Sequence, residues 1–302
     1  MKRDFLSILD LNYDEINEIL NIAMKLKEDS PLNSKKVLNG KSFAMIFEKP
    51  STRTYISFDV AIHQLGGHIV TLNENSLSGR EELSDIAKCL SRYVDGIIIR
   101  TFQQKTLNIF ADNSSVPVIN ALTDKFHPCQ IMSDYLTIVE KKGRGKIKIT
   151  YLGDGYNVAH SLLLLASKVG YDICFGTPKG FEPDKKILKK ASEFAKISGS
   201  TITLANNPQK AIANADIVYT DTWTSMGLEH EAEKRIKLFS KFQVNDTLLA
   251  QASSDALVMH CLPAHRGQEI TDEVMDGPQS IVFDQAENRL HMQKAILAFL
   301  YQ

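Results

Sequence analysis

Short apolar runs and amphipathic segments alternate along most of the chain. Residues 13–27 have the one-sided apolar spacing of an amphipathic helix, and nearly continuous apolar runs follow, separated by further helical patterns. Continuous apolar runs are typical of parallel strands that are buried on both faces. The pattern therefore predicts strands at residues 43–47, 69–72, 96–100, 116–119, 147–152, 173–175, 201–204, 217–220, 257–261 and 281–283.

This alternation predicts an α/β fold with two doubly wound parallel-sheet domains and a cleft between them. We expect a first domain at residues 1–138 and a second at 139–302, joined by the helix that follows His127-Pro128. Residues 288–302 are expected to form a closing helix that packs back toward the first domain. Because ligands bind beyond the carboxyl ends of parallel strands, polar residues at those ends are the candidate site residues.

The composition limits the classes of function. With 302 residues, 43% of them hydrophobic and 24% charged, the chain is long enough for two globular domains. A net charge of -1 argues against nucleic-acid binding, and no apolar run approaches the length of a membrane span. The four cysteines are scattered without a CxxC pair, and the N-terminus lacks a signal-peptide pattern, so we expect a reducing, cytoplasmic location.

Ser51-Thr52-Arg53-Thr54 is the strongest candidate for a phosphate site. It follows the predicted strand at 43–47 and opens a helical pattern that ends at Gly66-Gly67. The first N–H groups of a helix can bind an anion, the hydroxyl groups add donors, and the planar guanidinium of Arg53 matches phosphate oxygens. Ordinary helix capping by Ser and Thr is the alternative explanation.

Four other polar residues, at or after the ends of predicted strands, allow more than one interpretation. Arg100 is either a ligand contact or a solvated strand end. His127 could polarise a carbonyl and Gln130 could bind an amide, although a capping histidine is the simpler explanation. Asp221 could pair with a substrate ammonium, or it could be a solvated loop acid.

Gly153-Asp154-Gly155-Tyr156-Asn157 follows a predicted strand and superficially resembles a dinucleotide-binding turn. The third glycine is missing, and no acid ends the next strand at the spacing that a ribose contact requires. A nicotinamide enzyme is therefore disfavoured. Asn157 instead offers an amide for a carboxylate or an amino group.

His260-Cys261-Leu262-Pro263 does not predict a zinc site. Adjacent residues on a strand face opposite ways, and no second pair lies at zinc-finger spacing. Cys261 is either a nucleophile or a buried, inert thiol, and nothing in the sequence indicates that it is activated.

Taken together, these motifs resemble the transcarbamoylase family. Seven motifs occur in the family's order along nearly the whole chain: Ser-Thr-Arg-Thr at 51–54, the arginine at 100, His-Pro-Cys-Gln at 127–130, Gly-Asp-Gly-Tyr-Asn at 153–157, Asp-Thr-Trp-Thr-Ser-Met-Gly at 221–227, His-Cys-Leu-Pro at 260–263 and Glu-Asn-Arg at 287–289. The Ser-Met-Gly loop separates the ornithine enzymes of the family from their aspartate relatives.

The resemblance implies transfer of the carbamoyl group of carbamoyl phosphate to the side-chain amine of L-ornithine, giving L-citrulline and phosphate without a covalent intermediate. It also implies a homotrimer or a multiple of it, with no metal and no organic cofactor. Carbamoyl phosphate would be bound by Ser51, Thr52, Arg53, Thr54, Arg100, His127 and Gln130, and ornithine by Asn157, Asp221, Ser225 and Met226. Cys261, Leu262 and Arg289 would complete the carbamoyl phosphate site. The residues implied to take part in catalysis are Arg53, Arg100, His127, Gln130, Asp221, Cys261 and Arg289.

Two positions depart from the family's pattern. The family usually has a second arginine where this chain has Tyr55, and a glutamine that binds carbamoyl phosphate where this chain aligns Ser76. Their loss would weaken carbamoyl phosphate binding. Two alternatives therefore stay open: a catalytically weak relative that binds a metabolite, and a transcarbamoylase with another amine as acceptor.

Overall fold

The computed structural model describes residues 2–28, 36–72, 77, 79, 81–224 and 229–302. The chain divides into two compact units, one formed by Met1–Thr137 with Glu287–Gln302 and the other by Ile138–Ala286. Unit 1 contains a four-stranded sheet and unit 2 a five-stranded sheet. Every strand pair in both sheets is parallel, which confirms the predicted α/β class.

The sheet of unit 1 has the strand order β2-β1-β3-β4. Its strands are β1 (Ser42–Phe47), β2 (His68–Leu72), β3 (Gly96–Arg100) and β4 (Val118–Leu122). The helices of this part of the chain are α1 (Tyr13–Glu28), α2 (Thr52–Gln64), α3 (Leu83–Leu90), α4 (Gln104–Asn113) and α5 (Pro128–Lys142), and Ile8–Asp10 form a 3-10 turn.

The apolar runs of β1 and β3 form the centre of this unit. Ile46 and Ile99 are fully buried and join a core cluster with side chains of α3 and α4, including Ala87, Leu107 and Phe110. The strands at the centre of a parallel sheet are covered on both faces, which explains why their sequences are continuously apolar. Burial of this apolar area is the main force that holds the sheet to its helices.

The sheet of unit 2 has the order β7-β6-β5-β8-β9. Its strands are β5 (Lys148–Leu152), β6 (Asp172–Gly176), β7 (Ile202–Ala205), β8 (Ile217–Thr220) and β9 (Leu257–His260). Its helices are α6 (Asn157–Val169), α7 (Lys185–Ser198), α8 (Pro208–Ile212), α9 (Ala232–Phe239), α10 (Asp246–Leu249) and α11 (Asp272–Met275), with 3-10 turns at Glu229–Glu231 and Ser240–Phe242.

The predicted strand at residues 281–283 is wrong. The last helix, α12 (Val282–Leu300), begins there, six residues before the predicted start of the closing helix. The preceding residues pair only briefly with β9, through an isolated bridge between Ser280 and Val258. Three apolar residues fit a buried strand and a buried helix turn equally well, so periodicity could not distinguish them.

Most strand boundaries differ from prediction by one to three residues, and two of the differences matter here. β4 begins at Val118 instead of residue 116, because Pro117 has no N–H to donate to a sheet. β9 ends at His260, so Cys261 lies in the turn that follows and not on the strand. Among the described residues, no helix has both the length and the apolar content needed to span a membrane.

In each sheet, successive strands are added first on one side of the starting strand and then on the other. The pair of strands between which this change occurs is the topological switch point. In unit 1 the chain adds β2 on one side of β1 and β3 on the other, so the switch lies between β1 and β3. In unit 2 it lies between β5 and β8 for the same reason. The carboxyl ends of these pairs are where a parallel sheet leaves a crevice for a ligand.

Candidate active site

The switch point of unit 1 brings Ser51-Thr52-Arg53-Thr54 and Arg100 to one end of the sheet. Phe47 and Arg100 are register partners at the ends of β1 and β3. Ser51 stands at the N-cap of α2, but its side chain makes no capping hydrogen bond. Capping therefore does not explain the hydroxyl of Ser51, and the start of α2 presents backbone N–H groups at the switch point.

His127 lies beside a cluster of positive charges in the same unit. It directly precedes α5, and only 5% of its surface is exposed. Burial lowers the pKa of His127 well below its usual value, and the charges of three arginines lower it further: Arg289, Arg100 and Arg53. The imidazole is therefore uncharged near neutral pH, and the surrounding guanidinium groups favour an anion.

Arg289, from α12, is fixed by two side chains of unit 1. It donates to Thr54 Oγ1 at 2.9 Å and to Gln130 Oε1 at 2.5 Å. Gln130 in turn donates to Asp134 Oδ1 at 2.8 Å. Each of these four side chains is at most 2% exposed. The chain of hydrogen bonds holds the guanidinium group in one orientation, so Thr54, Gln130 and Arg289 form a single assembly.

Asp134 is a member of this assembly that sequence reasoning missed. It lies four residues after Gln130 on α5, so the two side chains share one face of the helix. The sequence does contain a signal for Asp134: it is an acid four residues after a candidate site residue, inside a helix whose other residues are mostly apolar. An aspartate that is fully buried in a helix requires a partner, and Gln130 supplies it.

Tyr55, one of the two departures from the family's pattern, contacts the neighbouring strand. Its hydroxyl lies 2.8 Å from Thr71 Oγ1, and its ring packs edge-on against Phe47 at 5.7 Å. Tyr55 therefore links α2 to β1 and β2. Ser76, the other departure, lies outside the described residues.

The switch point of unit 2 places Asn157 and Asp221 at the ends of β5 and β8. Asn157 opens α6 and accepts the N–H of Val158 at 2.8 Å. Asp221 Oδ1 accepts the N–H of Thr222 at 2.7 Å and the thiol of Cys261 at 3.0 Å. Burial raises the pKa of Asp221, and the hydrogen bonds partly oppose that effect. The thiol is thus a hydrogen-bond donor to a carboxylate in this arrangement.

Arg235 is a second residue that the sequence did not reveal. It is 6% exposed and donates to Asp154 Oδ2 at 2.5 Å, to the Trp223 carbonyl at 3.0 Å and to Glu231 Oε2 at 2.8 Å. Arg235 therefore ties the turn after β5 to the loop after β8. The predicted ornithine residues Ser225 and Met226 follow that loop and lie outside the described residues.

The turn at residues 153–157 is not shaped for a dinucleotide. A Cβ at Gly155 would lie 2.4 Å from Pro183 N and 2.6 Å from the carbonyl oxygen of Phe181. Gly155 is therefore required for close packing against the chain's own backbone, which gives this glycine a role other than the approach of a pyrophosphate. This packing agrees with the sequence argument against a nicotinamide enzyme.

Asp221, His260 and Cys261 form the one group of possible metal ligands found among the described residues, with ligand atoms within 4.8 Å of one another. The argument that adjacent strand residues must face apart is wrong here, because the strand ends at His260. However, Nδ1 of His260 accepts the N–H of Leu262 at 2.8 Å, and Nε2 lies 3.1 Å from Glu269 Oε1. A metal ion would have to displace one of these bonds, so the residues fit a metal poorly.

We predict that His127→Gln will flatten the pH dependence of stability below neutral pH. In the unfolded chain His127 takes up a proton near its usual pKa of about 6.5, whereas the folded protein resists protonation until its lowered pKa is reached. The contribution of His127 is therefore lost as pH falls below about 6.5, at up to about 1.4 kcal/mol per pH unit. Urea unfolding at a series of pH values measures this slope.

The control for this experiment is His63→Gln, at an exposed histidine of α2. It should retain the wild-type slope. If His127→Gln also retains that slope, the folded protein does not exclude a proton from His127.

Two family models match the chain, one on each side of residue 140. The model described as the carbamoyl-P binding domain of aspartate/ornithine carbamoyltransferase matches residues 3–140. The model described as the Asp/Orn binding domain of the same family matches residues 145–300. Together the two matches cover nearly the whole chain.

Curated proteins and solved structures agree with these matches. Ornithine carbamoyltransferase of Thermococcus kodakarensis is 51% identical, over 99% of this chain and 96% of the relative. The structure of ornithine carbamoyltransferase from Pyrococcus furiosus superposes with a TM-score of 0.95 at 49% identity, covering 99% of this chain and 96% of that one. The anabolic enzyme from Campylobacter jejuni gives a TM-score of 0.94 at 39% identity, covering 99% of both chains. The resemblance seen in the sequence is thus confirmed, and the chain belongs to the aspartate/ornithine carbamoyltransferase family.

Proposed function

We propose that this protein transfers the carbamoyl group of carbamoyl phosphate to the side-chain amine of L-ornithine. The observation that carries the proposal is the cluster of Arg53, Arg100 and Arg289 around the uncharged His127 at the switch point of unit 1. Such a cluster suits a small phosphate dianion. The names of the relatives, at about half identity over the full chain, support ornithine as the acceptor.

The phosphate group would be bound by the start of α2 and by two arginines. Ser51 and Thr52 lie at the first positions of the helix, where backbone N–H groups and hydroxyls can donate to phosphate oxygens. Arg53 and Arg100 supply positive charge at the same end of the sheet. These donors stabilise the negative charge that grows on the phosphate as its bond to the carbamoyl carbon breaks.

The carbamoyl oxygen would be polarised by donors from His127, Gln130 and Arg289. A neutral imidazole can donate one N–H, and the amide of Gln130 has a second hydrogen beyond the one directed at Asp134. Arg289 is already oriented by Thr54 and Gln130. Because these groups are held in place before the substrate arrives, little reorganisation is needed as charge develops on the oxygen. Cys261 and Leu262, assigned to this site by resemblance, belong to unit 2.

Ornithine would be bound by Asn157 and Asp221, with Ser225 and Met226 assigned to the same role by resemblance. Its side-chain amine is similar to that of lysine, whose pKa is about 10.4, so only about one molecule in a thousand is neutral near pH 7. The neutral nitrogen forms a bond to the carbamoyl carbon, the bond from that carbon to the phosphate oxygen breaks, and the proton lost by the nitrogen is taken up by the departing phosphate. No covalent intermediate with the protein and no cofactor are part of this proposal.

We expect purified protein to form citrulline from carbamoyl phosphate and L-ornithine, and to prefer ornithine in a panel with aspartate, putrescine and N-acetylornithine. Product formation is measured at a fixed concentration of carbamoyl phosphate. Preference for another amine would contradict the assignment of the acceptor. Binding of both substrates without any product would instead indicate a metabolite-binding relative.

We predict that Arg53→Ala will lower kcat by about 10³-fold or more, since a lost guanidinium contact to a transferring phosphate group has effects of that size. The fold should persist, because Arg53 is only half-buried at the start of α2. Arg92→Ala is the matched control, because Arg92 is exposed elsewhere in unit 1, and it should leave kcat unchanged. Steady-state kinetics and circular dichroism test both variants; near-normal turnover of Arg53→Ala would remove Arg53 from the site.

We further propose that the protein is a homotrimer or a multiple of it. β2 lies at the edge of its sheet, and two apolar side chains are exposed there: Val70 of β2 at 42% and Ile56 of α2 at 53%. Exposed apolar groups along a sheet edge are a common site of protein contact. Light scattering of purified protein should give three times the mass of one chain, or a multiple of that value, and a monomer would overturn the proposal.

A cytoplasmic location belongs to the same proposal. All four cysteines are free thiols, and two of them, Cys129 and Cys174, are buried in the cores of their units. Free thiols are typical of a reducing compartment. Fractionation of cells that express the native protein tests the location, and recovery outside the cytoplasm would contradict it.

A further inference from the structure

The turn after β9 is held by a buried pair of polar side chains that the proposed function does not use. His260 ends β9, and Glu269 lies in the loop that follows; both are fully buried. Their side chains meet at 3.1 Å, between Nε2 of His260 and Oε1 of Glu269. The same carboxylate oxygen accepts the N–H of His265 at 2.5 Å.

The hydrogen bonds of His260 determine the tautomer of its neutral imidazole ring. Leu262 donates its backbone N–H to Nδ1 at 2.8 Å, so Nδ1 carries a lone pair and no proton. In the neutral ring the proton is then on Nε2, where Glu269 Oε1 can accept it. Each nitrogen thus has one defined role, and the ring can turn only if both bonds break.

The backbone of the same residue is further held through α12. The His260 N–H is donated to Gln285 Oε1 at 2.9 Å, and the amide of Gln285 donates to Tyr219 of β8 at 3.2 Å. Gln285 is fully buried. The position of His260 is therefore fixed from the main chain as well as from the ring.

The His260 ring accepts a hydrogen bond from Leu262, whose backbone conformation is unfavourable. Leu262 has φ of 58°, a left-handed value that is unfavourable for a residue with a Cβ. The bond from Leu262 N–H to Nδ1 stabilises that conformation. In this conformation the preceding residue, Cys261, directs its thiol to Asp221 Oδ1 at 3.0 Å.

An apolar pair of similar volume could hold the core at least as well as this polar pair, because burying polar groups has a desolvation cost. An apolar pair could not accept the Leu262 N–H. The distinctive contribution of His260 and Glu269 is therefore geometric: they fix where the Cys261 and Leu262 peptide groups lie.

We propose that His260, oriented by Glu269, is a positioning residue that holds the Cys261-Leu262 turn in its substrate-binding conformation. The proposal rests on the proposed function, which assigns Cys261 and Leu262 to the site. His260 itself touches no substrate. Its effect reaches the substrates through the turn and through the contact between Cys261 and Asp221.

Two substitutions separate positioning from simple packing. His260→Asn places an amide oxygen close to the former position of Nδ1, so Leu262 keeps an acceptor. His260→Gln places its amide near the former position of Nε2, so the contact with Glu269 is kept and the acceptor for Leu262 is lost. Both variants bury a polar amide, and urea unfolding measures their stability.

We expect His260→Gln to lose roughly 100-fold in kcat/KM for ornithine, the effect of a displacement of about 1 Å in a reacting site. His260→Asn should stay within roughly tenfold of wild type. His260→Gln should also raise the KM for carbamoyl phosphate, because Cys261 and Leu262 are assigned to the site of that substrate, whereas His260→Asn should leave this KM close to the wild-type value. Equal losses in the two variants, or no loss in His260→Gln, would overturn the positioning role.

A second measurement does not depend on turnover. In a Cys89→Ser background, which removes the exposed thiol, the rate of alkylation of Cys261 by iodoacetamide reports the geometry of the turn. His260→Asn should alkylate at close to the wild-type rate, and His260→Gln at a clearly different rate. Identical rates in the two variants would contradict the proposal, whereas a wild-type protein that makes no citrulline would contradict the proposed function instead.

If His260→Gln does not fold, Glu269→Leu replaces it. The ring then keeps Nδ1 but loses its anchor, and we expect kcat/KM to fall for both substrates, because the turn carries Cys261 and Leu262 and contacts Asp221. Wild-type kcat/KM values together with a wild-type rate of Cys261 alkylation would overturn the proposal.

Discussion

The repulsion between like charges is the constraint on which the site of unit 1 depends. Burial of His127 and the positive charges of Arg289, Arg100 and Arg53 lower the pKa of its imidazole and keep it neutral. Gathering these cations in one place has a free-energy cost. Gln130 links Asp134 to Arg289 by hydrogen bonds, and a bound dianion would offset the positive charge. The positive electrostatic potential at this site therefore favours the binding of an anion.

In both units the candidate residues lie at the topological switch point of the sheet, but the types of residue differ. In each, the strand order reverses at one pair of strands, and the candidate residues follow the carboxyl ends of that pair. Unit 1 places arginines and a helix start there, which suits a phosphate. Unit 2 places Asn157, Asp221 and a thiol there, which under the proposed function would bind ornithine. The fold determines the location, and the residue types determine the ligand.

Much of the fold could be predicted because buried parallel strands are continuously apolar. Where that signal is ambiguous, the prediction failed: residues 281–283 begin α12, since a three-residue apolar run has no period. Asp134 and Arg235 were missed for a different reason. Arg235 lies among Glu233, Lys234 and Lys237, where a charged stretch usually indicates a solvated helix face. Only the tertiary structure shows that Asp154 and Trp223 surround it, because those contacts join residues far apart in the sequence.

Because Arg289 lies on α12, the cluster of arginines in unit 1 is completed late during synthesis of the chain. Arg289 binds Thr54 and Gln130 of unit 1, yet it follows the whole of unit 2 in the sequence, and Tyr301 near the end of the chain donates to the carbonyl of Asp95 at 2.7 Å. During translation the ribosome therefore releases the first 137 residues long before it releases this arginine. A nascent chain therefore cannot assemble the full set of cations before α12 has left the ribosome.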